Sequence, residues 1–213
     1  MSGRICFLVG AGDFYPQNLN PRPGDLLIAA DGGYEYMKRL GQEPDLVVGD
    51  FDSLETPPDH PNVLRLPKEK DDTDMLYALR LGIEKGCREF QIYGGTGGRM
   101  DHTVANFQCL VWLSKQGFHG ALHGGGWTAE AITDGALSFH AERRGYLSVF
   151  CQGDRAEGVY LQGLKYPLEN AVLTNDFPLG VSNEFTGVES TVAVGKGSLL
   201  VIYDDRERGI TKE

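Results

Sequence analysis

The chain has 213 residues, enough for one large or two small domains, and a chain of that length buries about 70% of its unfolded surface without disulfide or metal staples. Its composition, 41% hydrophobic and 23% charged, is that of an ordinary globular protein and excludes disordered and fibrous classes. Thirty acidic residues against twenty basic ones leave a net charge of -10, which argues against a basic phosphate-backbone binder and against nucleic acid as a partner.

In chain order, Arg4-Ile-Cys-Phe-Leu-Val-Gly10 and Asp25-Leu-Leu-Ile-Ala-Ala-Asp31 read as strands. Neither is interrupted by polar residues, which suits strands covered on both faces. The first run is too short for the apolar core of a signal peptide, and no later run approaches the roughly 18 residues needed to cross a bilayer. A cytoplasmic protein without membrane contact is expected. A helix follows over 33–40, ending at Gly41, and a strand over 45–49 runs into Asp50-Phe-Asp52-Ser53. After a Pro-rich loop come a short strand over 62–67 and a helix over 73–85 that ends at Gly86. A strand over 89–94 leads into the loop Gly94-Gly-Thr-Gly-Gly98. The next helix, about 101–116, carries Val104, Phe107, Leu110 and Val111 on one stripe.

From about residue 118 the pattern changes to short alternating segments at 127–133, 136–140, 146–150, 159–164, 171–174, 190–194 and 198–203, divided by glycine-bearing turns. The expected fold class is therefore α/β with a mainly parallel sheet over 1–125, followed by an antiparallel β-sandwich over 126–213. Cysteines 6, 87, 109 and 151 contain no Cys-x-x-Cys pair, and buried reduced thiols are expected rather than a zinc site or two disulfides. Glycine, at 29 residues, is about twice as frequent as usual, so many turns must approach something closely.

The polar clusters fall just past the carboxyl ends of predicted strands, the edge where open parallel sheets bind ligands. Asp50 and Asp52, alternate residues on an extended strand end, would share one face about 6.5 to 7 Å apart. Carboxylates held so close repel unless a cation lies between them. Asp50, Asp52 and Asp74 therefore make a magnesium and phosphate station. Asp71, Asp72 and Asp101 each precede a helical pattern, so helix capping competes with ligation there. The four-glycine loop before Arg99 offers backbone N–H groups, a guanidinium fork and a helix N-terminus to a phosphate. No P-loop is present, and Tyr15 stands where a dinucleotide loop after Gly10-Ala-Gly12 needs its third glycine.

Asp31-Gly-Gly33, Gly49-Asp-Phe-Asp-Ser53, Lys70-Asp-Asp-Thr-Asp74 and Gly94-Gly-Thr-Gly-Gly-Arg-Met-Asp-His102, in this order and spacing, resemble the thiamine pyrophosphokinase family. Leu164-Lys-Tyr-Pro-Leu168 and Gly180-Val-Ser-Asn-Glu184 resemble its C-terminal motifs, so the likeness spans nearly the whole chain. The resemblance implies transfer of the β,γ-diphosphate of ATP to the hydroxyl of thiamine, with release of AMP and a requirement for Mg2+. It also implies a homodimer with thiamine near the subunit junction. Asp50, Asp52 and Asp74 then match the catalytic and metal carboxylates, and Asp31 an acid beside them. Lys70, Thr73, Arg99, Asp101 and His102 fall in the ATP motifs, and Ser182 and Asn183 at positions near thiamine. Trp127, Tyr146 and Phe185 are candidates to lie over the cationic thiazolium, with a core role as the alternative for each.

Two other readings compete. Val47-Val-Gly-Asp50-Phe-Asp52 also resembles the start of magnesium phosphohydrolases, in which the first aspartate becomes phosphorylated. A non-catalytic nucleotide- or thiamine-binding module would keep the glycine loop and the Ser182-Asn183 pair without turnover.

Overall fold

The unbroken apolar runs near the N-terminus become central strands. In the computed structural model, which describes residues 3–51, 58–67 and 72–205, all five residues of β2 (Leu26–Ala30) are buried, as are the last four of β1 (Ile5–Val9). Two units of contact divide the chain, Met1–Gly124 and Gly125–Glu213.

The first unit continues with α1 (Gly33–Leu40), β3 (Leu46–Gly49), β4 (Val63–Arg65), α2 (Asp74–Glu84), β5 (Glu89–Tyr93), α3 (Met100–Lys115) and β6 (His119–His123). Its six strands are all parallel, in the order β6-β5-β1-β2-β3-β4. Strand β6 is absent from the sequence reading; its His119-Gly-Ala-Leu-His123 has polar ends and a glycine, and gives no apolar run to detect. The expected stripe on α3 also needs correction. Leu110 and Val111 are buried as expected, but Val104 is 50% exposed, and Thr103, Asn106, Cys109 and Leu113 complete the buried face. Two polar residues on that face hide its periodicity.

The second unit holds β7 (Trp127–Thr133), β8 (Ala136–Phe139), β9 (Tyr146–Gln162), β10 (Leu168–Thr174), β11 (Gly180–Glu184) and β12 (Ser190–Asp204), all paired antiparallel. Strands β9 and β12 each run through what the sequence reads as two strands and an intervening turn. The first half of β9 and the second half of β12 pair with each other and with β11 and β7; their other halves pair with β10 and β8. The result is two four-stranded layers that share both long strands. The change of layer coincides with a register shift between Lys196 and Ser198, beside Gly197 at φ 110. A β-carbon at Gly197 would stand 2.9 Å from the Arg155 carbonyl oxygen. Alternate residues Leu147, Val149 and Cys151 of β9, Val192 and Val194 of β12, and Phe139 and Phe185 close one apolar core. All four cysteines are buried and free. Among the described residues, no helix is long and apolar enough to cross a membrane.

Candidate active site

Strand order alone places the crevice. The chain leaves β1 toward β2, β3 and β4 on one side, whereas β5 lies on the other side of β1 and leads to β6. Connections that part in opposite directions from neighbouring parallel strands leave a ligand-sized gap at their carboxyl ends. A cavity of about 480 Å³ occupies it, lined by residues 10–12, Asp31, Asp50, Thr73, Asp74, residues 94–99, His102 and Asn106.

Three acids meet there. Asp31 follows β2 in a left-handed conformation, φ 48, and its backbone N–H donates to the Val48 carbonyl at 2.8 Å. Left-handed backbone at a non-glycine residue is a strained choice that concentrates at functional sites. One carboxylate oxygen, Oδ1, is buried with no hydrogen-bond partner among the described residues. Burial first, then a hydrogen bond to Asp74 and the charges of Asp74 and Asp50, push the Asp31 carboxyl up to about 7, while a hydrogen bond from the Phe51 N–H works the other way. Asp74 is the first residue of α2, and Thr73 is its N-cap, accepting from the Leu76 N–H at 3.2 Å. The Thr73 hydroxyl thus serves the helix and sets the position of Asp74. Asp72 pairs with Arg80 and does not line the cavity.

The extended backbone expected to carry Asp50 and Asp52 ends before Asp52 is reached. Strand β3 ends at Gly49, and Phe51 turns to φ 61 to bury its ring in the core of the first unit. Asp52 and Lys70 lie outside the described residues. Among the described residues, no group of three His, Cys, Asp or Glu side chains is gathered closely enough to hold a metal ion.

Opposite the acids stands the glycine loop. It is pressed against the β1 loop, with the Gly12 N–H donating to the Gly94 carbonyl at 2.8 Å and the Asp13 N–H to the Thr96 carbonyl at 2.6 Å. A β-carbon at Gly12 would come within 2.3 Å of the Thr96 oxygen, so Gly10-Ala-Gly12 serves close approach between loops, a signal the dinucleotide comparison misses. Arg99 lines the cavity but its guanidinium is largely exposed and doubly bonded to Asp101, at 3.2 and 2.6 Å. Each raises the charged character of the other, so the Asp101 carboxyl is held below its ordinary range. Asp101 itself does not line the cavity, whereas His102 does. Asn106 lies 6% exposed with its side chain against this loop.

In the second unit, Ser182 sits on β11 at φ 59 with an exposed side chain, its N–H donating to Ser148 Oγ at 3.1 Å. Asn183 is 3% exposed and both ends of its carboxamide are engaged. Oδ1 accepts from the Tyr166 and Glu184 N–H groups at 2.9 Å each, and Nδ2 donates to the Tyr166 carbonyl at 2.7 Å. Phe185 belongs to the core, edge-on to Phe139, whereas Tyr146 is 58% exposed.

Comparison with known proteins identifies the family. Residues 22–120 match the model of the thiamin pyrophosphokinase catalytic domain, and residues 138–199 that of the thiamin pyrophosphokinase vitamin B1 binding domain. Thiamine pyrophosphokinase of Bacillus subtilis (strain 168) is 30% identical over 184 residues, covering 83% of this chain and 86% of that protein. The crystal structure of thiamine pyrophosphokinase from Bacillus subtilis superposes with a TM-score of 0.85 at 27% identity, over 96% of this chain and 100% of the other. That of thiamin pyrophosphokinase from Geobacillus thermodenitrificans does so with a TM-score of 0.82 at 25% identity, over 97% and 100%. With both domain models matched in order and a relative of this identity covered over most of its length, the chain belongs to the thiamin pyrophosphokinase family.

Proposed function

We propose that the crevice between the ends of β1 and β5 binds ATP with magnesium, and that diphosphoryl transfer to thiamine takes place at its acidic wall. The chain is a thiamine diphosphokinase, with ATP as diphosphate donor and thiamine as acceptor, giving thiamine diphosphate and AMP. The observation that carries the site assignment is the meeting of mutually repelling carboxyls with a glycine loop in one cavity.

Magnesium fits these donors. It takes one or two carboxylates and fills its remaining positions with water and phosphate oxygens, and a cation relieves both the repulsion at Asp31 and its unpartnered Oδ1. Asp50, Asp52 and Asp74 would hold it, with Asp31 beside them. When bound, the ion neutralises polyphosphate charge. The chain's own groups do the rest by positioning, which dominates phosphoryl transfer. Backbone N–H groups of residues 94–98 orient the phosphates, and Arg99 exchanges Asp101 for them. The thiamine hydroxyl oxygen forms a bond to the β-phosphorus. The bond from that phosphorus to its bridging oxygen toward the α-phosphate breaks, and AMP departs with that oxygen. A carboxylate, Asp74 or Asp52, orients the hydroxyl and takes its proton. Thr73 and His102 frame the nucleotide, with Lys70 assigned beside them and Asp101 acting through Arg99, and Ser182 and Asn183 frame the thiamine. We read the protein as a cytoplasmic homodimer; Tyr146, Tyr166 and Phe177 of its second unit are each more than half exposed and open to a partner, and light scattering would report the mass.

The test is incubation with ATP, magnesium and thiamine, followed by chromatography. Equimolar AMP and thiamine diphosphate are expected, and release of inorganic phosphate without AMP would favour phosphohydrolase chemistry instead. Asp50→Asn should lower kcat by about 100- to 10,000-fold with an unchanged circular dichroism spectrum; near-normal turnover would remove Asp50 from the site.

A further inference from the structure

We infer that Asn106 is a positioning residue for the nucleotide, acting through the glycine loop rather than on substrate. The inference rests on the site assignment above. Asn106 projects from the second turn of α3 and is 6% exposed, and its Nδ2 donates to the Gly95 carbonyl at 2.6 Å. A carbonyl partner identifies that end of the carboxamide as the nitrogen.

The bond completes a set. Three successive carbonyls of the loop are engaged: Gly94 by the Gly12 N–H at 2.8 Å, Gly95 by Asn106, and Thr96 by the Asp13 N–H at 2.6 Å. In a trans peptide the C=O and N–H point in opposite directions, and the described residues contain no cis peptide bond. Holding these carbonyls therefore sets the directions of the N–H groups of Gly95, Thr96 and Gly97. The β1 loop anchors the first and third and bridges Thr96 through Asp13, and Asn106 holds the middle carbonyl from the α3 side. Left-handed glycines at 94, 97 and 98 bracket the stretch, the kind of backbone from which N–H groups converge on an anion. A loop with four glycines in five residues has little intrinsic preference for one shape, so an external clamp decides it. The clamp is tight: a β-carbon on Gly95 would lie 2.7 Å from Leu122 Cδ1 and 3.2 Å from Asn106 Nδ2.

The experiment uses the full chain with Asn106→Leu, which keeps bulk and removes the donor, and Asn106→Asp, which sets a carboxylate against the Gly95 carbonyl. Titration with ATP and magnesium in the absence of thiamine should show affinity at least tenfold weaker than wild type. KM for ATP should rise by a similar factor while KM for thiamine stays within twofold. A buried amide that merely supports the fold would lower the melting temperature without separating the two substrates. Folded variants with wild-type ATP affinity would overturn the inference. If Asn106→Leu does not fold, Gly95→Ala decides, because it displaces the clamp while leaving Asn106 in place, and must reproduce the ATP-specific defect. A wild-type chain that binds no ATP refutes the site assignment beneath; a wild-type chain that binds ATP with unaffected variants refutes only the role of Asn106.

Discussion

Asp31 is held in an unfavourable state by the same contacts that make it useful. Its carboxyl titrates at about 7 in the fold against an ordinary value of 3.8, so folding favours its protonated form. A raised value contributes stability below the unfolded pKa, and that contribution is lost as pH rises through the folded one. In metal-free buffer, Asp31→Asn should therefore melt higher than wild type above pH 7, by about 1–2 kcal/mol once the screening of a half-buried group is allowed for, and the gap should close toward pH 4. Thermal melts across that range check it. The two thiamine candidates should separate in the same way. Asn183→Ala strands the Tyr166 backbone groups and should cost about 1–3 kcal/mol of stability, whereas Ser182→Ala should raise the KM for thiamine with little change in melting. Residues such as Asp31, Asp50 and Thr73 are legible in sequence because acids and caps stand at strand and helix ends, where chemistry and turn formation both want them. Asn106 is not, because a buried amide answers to a backbone carbonyl 11 residues away, and no local pattern encodes that partner.

At the scale of elements, strands β1, β2 and β3 were readable because their apolar runs are continuous, and α1 and α2 because Gly41 and Thr73 mark an end of each. Phe51 defeats the extended reading at its own position, since a buried ring outweighs the preference of the backbone for an open strand. Strands β9 and β12 were read as four for a related reason: Gly153, Asp154, Arg155 and Gly158 look like a turn, although the hydrogen bonds to β12 resume on the far side. The bend should depend on Gly197. Gly197→Ala forces a side chain onto φ 110 against the Arg155 carbonyl and should lose about 1–3 kcal/mol. Gly195→Ala, whose β-carbon would meet nothing closer than 3.5 Å, should change stability by less than about 1 kcal/mol. Urea unfolding of the pair measures the difference.

On the scale of the whole chain, each unit supplies a different kind of order. Residues 1–124 gather polar groups from distant loops at one rim, while residues 125–213 derive their coherence from two long strands. That second arrangement has a consequence for how the unit opens. Because β9 and β12 contribute ladder bonds to both layers, neither layer can be released while its neighbour stays closed. Native-state amide exchange should therefore find one cooperative block: protons at 147–151 and at 159–162 should share a single opening free energy and a single denaturant dependence. Distinct exchange isotherms for the two stretches would mean that the bend at Gly197 uncouples them.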